Sequence, residues 1–124
     1  PKRSRTNTPL QALTLLNDQA YVEMALGFAV SILEKTQGKS DKDRVTHAVR
    51  RALSRDPSAR EIKVLLSLLN EQSKRLKSDT SIAKSLLSQA PQIEVSEKLD
   101  SDEVGAWFFV ANALLNLDET ITKG

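Results

Sequence analysis

Apolar residues recur at i, i+3 and i+4 along almost the whole chain, and most of these runs open on a residue suited to capping a helix. Thr8 precedes Pro9 at a first helical position, where the missing N–H of proline removes nothing, and Gln11 falls three after Thr8. Leu10, Leu13 and Leu16 then line one face. This spacing predicts a short helix over 9–16, a kink or break near Asn17-Asp18, and a longer helix to about Lys35. The longer helix carries Ala20, Val22, Met24, Ala25, Phe28, Ala29, Ile32 and Leu33 and is stopped by Gly38.

Ser40, with Asp43 three later, opens the next run. Val45, Ala48, Val49, Ala52 and Leu53 face inward, while Arg44, Arg50, Arg51 and Arg55 are left mostly outside. Asp56-Pro57-Ser58 is a turn, and Ser58 with Glu61 is a capping box for a helix reaching roughly Lys77. The segments 41–54 and 59–77 therefore form a helical hairpin with a short connection. Asp79 or Thr80 caps a shorter helix through Ile82, Ala83, Leu86 and Leu87, which Pro91 ends. After an irregular stretch over 91–99, Ser101, Asp102 and Glu103 put capping and acidic groups where a helix N-terminus favours negative charge. Val104, Trp107, Phe108, Ala111, Leu114 and Leu115 follow at helical spacing. This is the most apolar segment, so it belongs at the centre.

The expected fold is all-α, a compact bundle of about five helices with a central C-terminal helix. Residues 1–8 read as a basic linker or tail from an upstream domain, and 9–124 as a single helical domain. At 124 residues the chain can bury roughly two-thirds of the surface its unfolded form exposes, so no metal or disulfide is needed to stabilise it. The sequence opens Pro1-Lys2-Arg3-Ser4 without methionine, which reads as a piece of a longer polypeptide.

Composition removes several chemistries. There is no cysteine, so thiol catalysis, thiolate metal sites and covalent haem attachment are excluded within the segment. His47 is the only histidine. Its position near the edge of the apolar face fits a packed or solvent-edge side chain better than an axial ligand or catalytic base. The acidic pairs Asp102/Glu103 and Asp118/Glu119 point about 100° apart on a helix and do not converge on a ligand. The residues imply no cofactor, no metal and no catalytic set, and no run reaches the length of a membrane span.

Charge is unevenly spread. Residues 41–78 hold ten bases against five acids, and residues 91–124 hold two bases against seven acids. Packing of one segment beside the other is the simplest use of this asymmetry. The arginines around the 44–60 hairpin outline a helix-turn-helix, which makes Arg50, Arg51 and Arg55 candidates for an anionic partner. Acids interleave with them and no aromatic residues do, so weak nucleic-acid binding is the less favoured reading. Arg3, Arg5 and Asn7 are the other interaction candidates, placed to contact an upstream part of the same polypeptide or to contribute to a composite enzyme site with it.

The string Arg3-Ser4-Arg5-Thr6-Asn7-Thr8-Pro9-Leu10-Gln11-Ala12-Leu13, followed by Leu15-Leu16-Asn17-Asp18, resembles the C-terminal domain of unknown function in large planctomycete-type proteins. The stretch Ala52-Leu53-Ser54-Arg55-Asp56-Pro57-Ser58 and the segment from Trp107 to Leu114-Leu115-Asn116-Leu117-Asp118-Glu119 are similar to the same family. That family often has proline after the Asn-Asp pair, where this chain has Gln19. The resemblance implies a bacterial, exported parent protein, often one that also carries a cytochrome c-like domain. It brings no catalytic residues to this chain. The reading it supports is a non-catalytic structural or protein-interaction module, with the upstream domain as first partner.

Overall fold

The computed structural model describes residues 19–117, and among them the fold is all-α, with five helices and no strand. The helices are α1 (Gln19–Lys35), α2 (Asp41–Leu53), α3 (Ala59–Ser78), α4 (Ser81–Ser88) and α5 (Ser101–Asn116). The short helix expected over 9–16 and the break at Asn17-Asp18 lie outside the described residues. No helix among the described residues is long and apolar enough to cross a membrane.

Local chemistry sets most boundaries. After α1 the chain turns through Gly38 at φ +79°, a left-handed conformation that a side chain disfavours. Ser40 caps α2, its Oγ accepting from the Asp43 N–H at 3.1 Å. Ser54, at φ 58°, closes α2 and donates its N–H to the Arg50 carbonyl at 3.0 Å. The box at α3 is complete: the Glu61 N–H donates to Ser58 Oγ, and the Ser58 N–H donates to Glu61 Oε1. Of the two candidates before α4, Asp79 supplies the cap, its carboxylate accepting the Ser81 N–H, while Thr80 makes no side-chain cap bond. At α5 the cap is Asp100, one residue earlier than the Ser101 group expected, and it accepts the Asp102 N–H.

α5 is the centre of the bundle, in contact with all four other helices and most extensively with α1 and α3. The reason is its composition. Val104, Trp107, Val110 and Leu114 are almost wholly buried, and Ala106 and Ala111 fill the intervening positions, so neighbours close on several sides. Gly105 permits a close approach of α3 and α4. A Cβ there would lie 3.1 Å from both terminal methyls of Leu76 on α3 and 3.7 Å from Ala83 on α4. α1 contributes Val22, Leu26, Ile32 and Leu33 to the same core, and α2 contributes Val45, Ala48 and Val49. The α2–α3 hairpin packs beside α5 as the spacing implied.

Candidate functional site

The arginines expected on an outward basic face are held in place by specific partners. Arg44 departs most from expectation. Its side chain retains only 13% of its exposure. From there Nε donates to the Thr36 carbonyl at 3.3 Å and Nη1 to Glu103 Oε2 at 3.2 Å. The bond to Glu103 joins the basic segment to the acidic one, as the charge asymmetry suggested.

Arg50 and Arg55 turn back on their own connection. Arg50 Nε pairs with Asp56, where both side chains are exposed. Arg55 forks onto Glu61, Nη1 to Oε1 at 2.8 Å and Nη2 to Oε2 at 2.7 Å, and Nη1 also donates to the Asp56 carbonyl. The Arg55 guanidinium and the Ser58 N–H together hold the Glu61 carboxyl far below its ordinary range, at about 2. The carboxylate thus closes the helix cap and neutralises the arginine in one arrangement.

Arg51 reaches the other way. Nη1 donates to Ser31 Oγ on α1 at 2.8 Å, and the guanidinium lies 5.2 Å from the centroid of the half-buried Phe28 ring. This stack clamps α2 to α1. A similar stack on the far side places Arg75 of α3 5.4 Å from the Phe109 ring of α5. Arg50, Arg51 and Arg55 therefore sit close in sequence but serve different junctions, Arg51 toward α1, and Arg50 and Arg55 within the turn. Arg3, Arg5 and Asn7 lie outside the described residues.

His47 is partly exposed as a residue, yet its Nε2 is enclosed and has no hydrogen-bond partner. Burial, then the charges of Arg51, Lys35 and Arg50, push the imidazole below its ordinary 6.5. Among the described residues, no three His, Asp or Glu side chains gather as a metal site requires. A shallow open cleft of about 120 Å³ is lined by Ser73, Lys77, Asp100, Asp102 and Glu103. Glu103 is engaged by Arg44, and the Asp100 carboxylate caps α5. Ser73 and Lys77 stand one turn apart on α3.

Sequence reasoning missed Arg44, Glu103, Phe28 and Ser31 as members of these junctions. The signal available was weak: opposite net charges on two segments, and an aromatic on the outer edge of a helix.

The chain's first 69 residues match the family model described as PSD1, protein of unknown function (DUF1553), and the chain belongs to that family. The match includes the Arg3–Leu13 string and the Ala52–Ser58 turn. It ends at Leu69 within α3, so the similar stretch from Trp107 to Glu119 lies beyond it. Neither the curated proteins nor the solved structures contain a match to the chain.

Proposed function

For this member of the family, we propose a non-catalytic structural or protein-interaction module that completes a larger exported bacterial polypeptide. The observation that carries this reading is the use made of its arginines. Arg44 ties α2 to α5, Arg51 ties α2 to α1, and Arg55 braces the cap of α3. Side chains that could have formed a site for substrate instead fix how helices meet.

The first partner is the upstream domain of the same polypeptide, met through Arg3, Arg5 and Asn7, residues rich in hydrogen-bond donors. The resemblance to planctomycete-type proteins supports an extracytoplasmic parent, in which any cytochrome c-like domain would be separate. This chain has no cysteine with which to attach a haem covalently.

Light-scattering mass of this chain, mixed with the upstream portion supplied separately, tests the proposal. A stable complex that is lost on Arg3→Ala/Arg5→Ala, with the helical content of the chain unchanged, is the expected result. Two independent species would contradict the upstream contact.

A further inference from the structure

We infer that His47 makes the seam between α1 and α2 sensitive to mild acid, packed while the imidazole is neutral and loosened when it takes a proton. The geometry is specific. His47 Nε2 is enclosed without an acceptor, so a proton added there gains no hydrogen bond within the protein. Three cations disfavour a charged ring: Arg51 and Arg50, one turn later on α2, and Lys35 at the end of α1.

The carboxylates of neighbouring elements are committed elsewhere. Glu103 of α5 is held by Arg44, Asp56 of the turn by Arg50, and Glu61 of α3 by Arg55. Asp43, four residues before His47, is exposed at the start of α2 and Glu34 is exposed near the end of α1.

The seam is where such a charge would act. α1 and α2 touch less extensively than either touches α5. Arg51, four residues after His47, supplies two of the contacts across it, to Ser31 and to Phe28. An imidazolium beside that guanidinium repels the group that bridges the helices. The sign follows from burial: the folded state holds its proton more weakly than the unfolded chain. Stability from the neutral ring is complete above 6.5 and is lost as pH falls below it.

Hydrogen exchange of the 41–53 amides, corrected for the pH dependence of intrinsic exchange, tests this between pH 7.5 and 5. His47→Gln and His47→Leu serve as two independent controls. In the wild type, opening of α2 should rise as pH falls, by no more than about tenfold per pH unit. Both variants should show a flat profile, and the His47 ring should titrate below 6.5 by NMR. A wild-type profile as flat as the variants, variants that open with acid as the wild type does, or a His47 titration at or above 6.5 would each overturn the inference.

Discussion

Arg44 Nη1 donates to Glu103 Oε2 at 3.2 Å across 59 residues of sequence, bridging the first turn of α2 to the first turn of α5. The Arg44 side chain is largely enclosed, whereas Glu103 keeps 41% of its exposure, so water screens the pair on one side. Most of what Arg44 contributes should therefore come from packing of its stem and from its bond to the Thr36 carbonyl. Arg44→Ala is expected to lower stability by about 1–2 kcal/mol, read from the urea midpoint. Glu103→Gln should lower it by less than about 1 kcal/mol. An equal loss in both variants would mean that the ion pair, rather than the packing, dominates.

The Ser58–Glu61 box gives a pH prediction with a definite sign. The Glu61 carboxyl sits at about 2 in the folded chain against an ordinary 4.5. Stability from it is present above 4.5 and is lost as pH falls from there toward 2. Glu61→Gln should flatten this part of the acid-unfolding curve, while Ser58→Ala should lower stability by about 1 kcal/mol at neutral pH. Thermal melts at pH 3 and pH 7 check both.

Gly105 is required by contact. With Leu76 wholly buried and its methyls 3.1 Å from where a Cβ would stand, the branched side chain in Gly105→Val forces Leu76 to shift within the core. A loss of about 1–3 kcal/mol is expected despite the better helix propensity of valine. Trp107→Ala, which empties the largest fully buried site, should lose about 3–5 kcal/mol. Denaturant midpoints at unchanged m-value would report both.

The Arg51 clamp is exposed and correspondingly modest. Arg51→Ala should lower stability by about 0.5–1 kcal/mol, and Arg51→Lys should recover only part of this, because lysine lacks the planar group that lies over Phe28. The expected local signature is faster amide exchange near Ser31 and Phe28. Unchanged exchange there would place the contribution of Arg51 elsewhere.

What the sequence discloses here is local. Capping at Ser40, Ser58 and Asp79 depends on groups within three residues, so start signals read from the chain agree with the helices formed. The central position of α5 was legible because Val104, Trp107, Phe108, Ala111 and Leu114 leave no fully polar face. Arg44 was not legible. Helical spacing puts it outside, and only the meeting of α2 with Glu103 and the Thr36 carbonyl draws it in. The same holds for Arg51, whose partners Ser31 and Phe28 are fixed by how α1 lies against α2. Residues 50, 51 and 55 look like one basic cluster in the sequence, yet Arg50 and Arg55 pair within the turn and only Arg51 answers to partners that packing chose.

α5 is the element around which the other helices are ordered, although the family match ends at residue 69. The most direct test is equilibrium unfolding of residues 1–100, which lack α5, beside the full chain, followed by circular dichroism in urea. Loss of the cooperative transition is expected, since the apolar faces of α1 and α3 lose their main partner. A cooperative transition at a midpoint close to that of the full chain would contradict it.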